Sequence, residues 1–251
     1  MTRELVAFVA AFLAGAINSV AGGGTLVTFP TLVWLGLPSI VANATSTVSI
    51  WPGSLGAMVG YRAELARIHP RLFLLALPSL AGGVAGAALL RLTPTPVFDR
   101  LVPLLILFAT LLFMAQEPIQ RWLGRSGAHP HSGRWLAGAI AFQLVVGLYG
   151  GYFGAGIGIL MLAALSIIGL TDIHEMNALK NFLAICINGI AALYFISMDM
   201  VAWTEVVVMA AGAVAGGLGG AGLARRAGRR AVRWTVIAIG FGMALSLALR
   251  L

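Results

Sequence analysis

Charged side chains are scarce in this chain: they make up 10% of its 251 residues, where a soluble domain carries about 25%. Too few polar groups are left to cover a water-facing surface, which excludes an ordinary soluble domain. Cysteine occurs once, as Cys186, so no disulfide framework can form. Alternating segments of about ten residues, the mark of a membrane β-barrel, are missing. His69, His129, His131 and His174 lack metal-ligand spacing, and there is no phosphate-binding loop, redox Cys pair or nucleophile elbow. The reading is therefore no enzyme, no catalytic residue, no metal and no cofactor. The net charge of +8 does not imply a nucleic-acid partner, because the arginines sit in short clusters between apolar runs, as loop charges do.

What the chain has in abundance is apolar sequence, 60% hydrophobic residues with a mean hydropathy of +0.97. Runs near 20 residues recur throughout, as in a polytopic helical membrane protein. The opening MTRELVAFVAAFLAGA looks like a signal peptide, but a similar pattern recurs in mid-chain, where a signal peptide cannot be. The recurrence is a repeat. Gly15, Gly22 and Gly24 align with Gly147, Gly154 and Gly156 at an offset of 132, and AGGVAGAALL from Ala81 resembles AGGLGGAGLA from Ala215. Three units follow: a first membrane repeat over 1–115, a linker over 116–134 rich in polar, Gly and Pro residues, and a second membrane repeat over 135–251. Weak internal symmetry of this kind marks transporter folds.

Each repeat offers five helical pieces: Leu5–Ala21, Thr25–Gly36, Ile40–Tyr61, Pro70–Leu90 and Pro96–Ala115, then Trp135–Phe153, Gly156–Gly169, Ile173–Ile196, Ala202–Ala224 and Ala231–Leu249. The second piece of each is about 20 Å long at 1.5 Å per residue, short of about 30 Å of hydrocarbon. A single helix from Leu5 to Leu37 would be about 50 Å long. The chain therefore breaks at the glycines, and each half is a broken or re-entrant helix pair followed by three transmembrane helices. Such a half crosses an odd number of times, so the two halves are inverted. The basic residues then fall 12 against 4 across the membrane, rather than 8 against 8 for an even count. The positive-inside rule favours the uneven split, with a cytoplasmic linker and both termini periplasmic.

Irregular backbone at membrane depth is tolerated where it lines a cavity or is buried in protein, and a helix N-terminus with free amides suits an anion. This makes Asn18, Gly22, Gly23, Gly24 and Thr25 one part of a candidate site and Gly154 and Gly156 the other. In the following helix Asn177, Lys180, Asn181 and Asn188 fall on one face, and Lys180 is the only lysine in the chain. The aligned stretch of the first half, at an offset of 135, carries Ala42, Thr45, Ser46 and Gly53. A cation at bilayer depth is expensive and marks function by default. No carboxylate stands in the middle of a span, so amide, hydroxyl and ammonium donors point to an anion. Trp51 is deep enough to face a pathway. Gly82, Gly83 and Gly86, and Gly212, Gly216 and Gly220, read as helix-packing faces and as the surface a homodimer could use.

AINSVAGGGTLVTFPTL, GLPSIVANATS and GYFGAGIG…GLTDIHEMNALKN together resemble the TauE/SafE family of sulfite-exporter-like permeases, over nearly the whole chain. The resemblance implies transport of small sulfur-containing anions or organic acids, such as sulfite, sulfoacetate or other sulfonates, across the bacterial inner membrane. By the same resemblance Asn18, Gly22, Gly24, Thr45, Gly154, Gly156, Asn177, Lys180 and Asn181 occupy signature positions. The expectation is an alternating-access carrier whose partners are a small anion and the lipid bilayer. A passive anion channel and a non-transporting membrane scaffold are its alternatives.

Overall fold

The structure, a computed structural model, describes residues 2–20, 23–60, 62–123, 133–167, 170, 172–227 and 229–249. Within these, 19–20, 56–57, 59–60, 116–123, 133–136, 166–167, 173, 219–227 and 229–233 are described for the backbone alone. Helices dominate, and no strand occurs among the described residues. An apolar chain in lipid must satisfy its amides within each segment, and a helix does so.

The first half runs α1 (Thr2–Val20), α2 (Thr25–Trp34), α3 (Ser39–Gly60), the short α4 (Arg62–Leu65), a 3-10 turn (Pro70–Leu75), α5 (Ala76–Leu92) and α6 (Thr95–Leu123). The second runs α7 (Gly133–Tyr152), α8 (Ile157–Ile167), α9 (Ile173–Ser197), α10 (Trp203–Ala227) and α11 (Arg229–Ala248). Helix α6 continues past Ala115, so the expected linker begins as helix. Three described segments are long and apolar enough to cross a membrane: Pro70–Leu92, Thr95–Ala115 and His174–Ser197. Outward faces stay apolar, with Leu104, Val145, Leu193, Val207 and Leu245 all exposed, as contact with lipid requires.

Helix α2 stops at Trp34, two residues before the expected Gly36. Helix α2 has 10 residues and α8 has 11, about 15 and 17 Å at 1.5 Å per residue. Both breaks are real turns of the backbone. Gly23 has φ +104°, and Gly154 and Gly156 both have φ +78°, a region open to glycine and costly for other residues.

Packing partners repeat between the halves. Helix α1 packs on α10, and α7 packs on α5; α3 packs on α10, and α9 packs on α5. Helix α2 touches α11, and α8 touches α6, while α3 meets α9 and α6 meets α11. The two largest seams are glycine seams. A Cβ on Gly216 would lie 1.9 Å from the Phe12 carbonyl oxygen, and one on Gly86 would lie 2.1 Å from that of Leu148. Backbones meet directly there, so the faces holding Gly82, Gly86, Gly212 and Gly216 are occupied within the chain. Gly83 packs under Ile187 and Ile190 of α9, and Gly220 is described for the backbone alone.

The helix ends sort into two levels. At one, the segment after α3 (Leu65, Ile68, Phe73, Leu75) packs against Ala139 of α7, Leu162 and Leu165 of α8, and Met176 and Leu179 of α9. Because α7 starts there, we name it the linker end. At the other, Leu37, Leu90, Phe98, Phe195, Val201 and Val206 gather in the main core, and Arg3 pairs with Glu205 at 3.0 Å.

Candidate functional site

Local hydrogen bonds build each break. At the first, the Gly24 amide donates to Asn18 Oδ1 at 2.8 Å, and the Leu26 and Val27 amides donate to the Gly23 and Gly24 carbonyls at 3.0 and 2.9 Å. Helix α2 thus starts without a side-chain cap on its first turn. At the second, the Tyr149 hydroxyl donates to the Ala155 carbonyl at 2.7 Å, and the Ile159 amide reaches the Gly156 carbonyl at 3.0 Å. The amides of Thr25 and Gly158 donate to no acceptor among the described residues.

Both breaks line one cavity of about 100 Å³. The first contributes Asn18, Gly23 and Thr25, and the second contributes Gly154, Gly156, Ile157 and Gly158. Helix α9 adds Lys180, Asn181, Ala184 and Asn188; α3 adds Ile50, Gly53 and Ser54. Gly15 of α1 and Gly217 of α10 complete the wall. An engineered cavity of about 150 Å³ holds benzene, so this one suits an occupant of a few heavy atoms.

Its chemistry is donor-rich. The Lys180 ammonium donates to Asn177 Oδ1 at 3.0 Å, and its stem lies along Gly158, where a Cβ would stand 3.4 Å from Lys180 Cδ. An ammonium has three donors; one is used among the described residues. The side chains of Asn181 and Asn188 make no hydrogen bond among the described residues. No carboxylate lines the cavity, and no cluster of three metal-ligating side chains occurs among the described residues.

Of the residues singled out in the sequence, Asn18, Gly23, Thr25, Gly154, Gly156, Lys180 and Asn181 therefore meet on one wall. Others stand elsewhere. Gly24 is buried against Ala14 and Asn18. Asn177 lies behind Lys180 as its acceptor. Thr45 Oγ1 accepts from the Ala202 amide at 3.0 Å, and Ser46 Oγ pairs with Thr28 Oγ1 at 2.6 Å. Both are fully buried and neither lines the cavity. Gly22 lies outside the described residues. Trp51 is not on the wall either: its Nε1 donates to the Ile185 carbonyl at 3.2 Å and its ring packs over Gly189, so it ties α3 to α9. Residues not singled out for the site join it. Asn188 and Gly53 were visible in the face alignment, and Gly15 in the repeat, whereas Ser54, Gly158 and Gly217 carried no sequence signal.

Comparison with known proteins places the chain in a family. Residues 7–247 match the family model described as sulfite exporter TauE/SafE. A "Probable membrane transporter protein" of Haemophilus influenzae is 26% identical, covering 95% of this chain and 91% of that protein. "Probable membrane transporter protein ORF9" of Sinorhizobium sp is 29% identical, over 96% and 90%. "Probable membrane transporter protein YfcA" of Escherichia coli K12 is 27% identical, over 96% and 88%. No solved structure matches. A helical membrane chain with two glycine breaks around one small cavity, matched over residues 7–247 by that model, is a member of the TauE/SafE sulfite exporter family of membrane transporters.

Proposed function

We propose that this chain is a secondary carrier of a small sulfur-containing anion, moving it across the bacterial inner membrane by alternating access. The observation that carries the reading is the cavity itself: both breaks, the single lysine and two unbonded asparagine side chains surround about 100 Å³ with no carboxylate present. Ammonium, amide and backbone N–H donors reward an oxyanion and leave a cation without counter-charge. The size favours an anion like sulfite over a longer one like sulfoacetate.

The same reading takes the two halves as inverted repeats. Its support is the 12-to-4 distribution of basic residues and the exchange of packing partners between the halves. It puts the linker in the cytoplasm and both termini in the periplasm. Rocking of one half against the other would expose the fixed site to each side in turn.

The test is counterflow in proteoliposomes. Vesicles loaded with unlabelled sulfite should accumulate labelled sulfite transiently and with saturation. Flux that is linear in concentration and shows no counterflow would make the chain a channel. No flux for any small sulfur oxyanion would leave a scaffold.

A further inference from the structure

The cavity occupies one level of the bundle, and a second set of contacts closes the level beyond it. The wall draws on the last part of α3 (Gly53, Ser54), on Gly217 late in α10 and on Lys180 and Asn181 early in α9. All of these lie toward the linker end. Toward its start, α3 carries Asn43, Thr45, Ser46, Thr47 and Ser49, every one of them buried. A run of polar residues buried in so apolar a protein calls for a use. Thr47 and Ser49 bond back to carbonyls of their own helix, at 3.0 and 2.6 Å, and Thr45 holds the Ala202 amide.

Asn43 and Ser46 reach across to the arms of the two breaks. Ser46 Oγ meets Thr28 Oγ1 at 2.6 Å. Next to Thr28, the Phe29 ring meets the Phe153 ring edge-on, with centroids 5.3 Å apart at 80°. Asn43 Nδ2 donates to the Tyr152 carbonyl at 2.9 Å. Thr28 and Phe29 stand just after the first break, and Tyr152 and Phe153 just before the second. The broken arms therefore shut this level themselves. Asn43 is 1% exposed and its Oδ1 has no partner among the described residues, a buried acceptor left desolvated without return. That arrangement makes sense if the acceptor is satisfied in another state.

The repeat points the same way. Leu160 and Asn181 stand where the first half has Thr28 and Ser46, at offsets of 132 and 135. Asn181 faces the cavity unbonded, so the contact closed in one half is open in the other. We propose that Thr28–Ser46, Phe29–Phe153 and Asn43–Tyr152 are the closed gate at the end opposite the linker. Opening it extends the pathway along the buried polar face of α3. The proposal rests on the carrier reading above.

The experiment uses a Cys186→Ser background and sealed vesicles of known orientation. Ser46→Cys changes one atom and Ser54→Cys lines the cavity; each is challenged with a charged, membrane-impermeant thiol reagent from either side. Ser46→Cys should react from the side opposite the linker, and Ser54→Cys at least tenfold faster from the linker side. Bridging a Phe29→Cys/Phe153→Cys pair with a short bifunctional thiol reagent should stop counterflow and leave the cavity cysteine reactive. Ser46→Cys that reacts from the linker side or from neither side overturns the gate, as does a bridged protein with undiminished counterflow. Vesicles that take up no anion while Ser46→Cys still reacts from the far side sink the carrier reading and keep the gate.

Discussion

At the first break a side chain does the holding, with Asn18 gripping the Gly24 amide, and the next helix answers with hydroxyls that are already paired. At the second break two glycines at φ +78° turn the chain and the Tyr149 hydroxyl holds the Ala155 carbonyl, while the next helix presents an ammonium and amides with donors to spare. The contrast is sharpest at one repeat position. Thr45 and Lys180 align at an offset of 135; the first fastens the start of α10, and the second faces the cavity. At this position the first half supplies frame and the second supplies a cavity donor.

The largest effect should come from removing the cation. Lys180→Gln is shorter by one atom, keeps a neutral amide donor and loses the charge. A charge-assisted hydrogen bond contributes about 1.5–3 kcal/mol, so uptake should fall about 10- to 100-fold on the usual conversion of about 1.4 kcal/mol per tenfold change. Thermal stability in detergent should hold, because the ammonium has no carboxylate in the cavity to lose. Unchanged uptake would dissolve the comparison, since both positions would then be frame.

Next in size is a matched pair, Asn18→Ala against Asn188→Ala. Asn18 satisfies a backbone donor, and leaving that donor bare costs about 1–3 kcal/mol. Its loss should lower both the melting temperature and uptake. Asn188 lines the cavity with no bond to lose among the described residues, so its removal should weaken affinity and spare the melting temperature. Equal thermal losses would mean that Asn188 is a structural support and not a free cavity donor.

How far the sequence alone reaches follows from these residues. The breaks were legible because glycine spacing is a backbone signal: a φ of +78° or +104° admits little else. The helices themselves were legible because apolar runs must be helical in lipid, but their ends were not, since α6 runs on past Ala115 to Leu123. Thr45 and Ser46 stand off the cavity wall, and the sequence could not show this for a physical reason. A buried hydroxyl that bonds a neighbouring helix and one that bonds a ligand have the same composition and the same spacing. Only the crossing of α3 with α2 and α10 decides between them. Ser54 and Gly217 were invisible for the converse reason, since the wall they share forms where two distant helices cross.

Thr45→Ala should therefore act on stability and not on affinity. It strips the Ala202 amide of its acceptor, which at a half-buried position costs about 1 kcal/mol. The expected result is a lower melting temperature, with affinity unchanged per folded molecule. A tenfold loss of affinity would return Thr45 to the site and erase the contrast with Lys180.

The smallest effect belongs to the frame at its wet edge. Arg3 and Glu205 pair at 3.0 Å across α1 and α10, with the arginine side chain 52% exposed. The Glu205 side chain is only 16% exposed, so the pair sits at the upper end of the surface range, about 1 kcal/mol, and is screened by salt from the arginine side. The α1–α10 seam is held instead by glycines packed on backbone, where a Cβ at Gly216 would stand 1.9 Å from a carbonyl oxygen. Arg3→Ala should thus lower the melting temperature slightly at low salt and not at all at high salt, with counterflow unchanged. A loss that persists in high salt would show that the frame depends on charge as well as close packing, and the division between frame and cavity donor would need a third term.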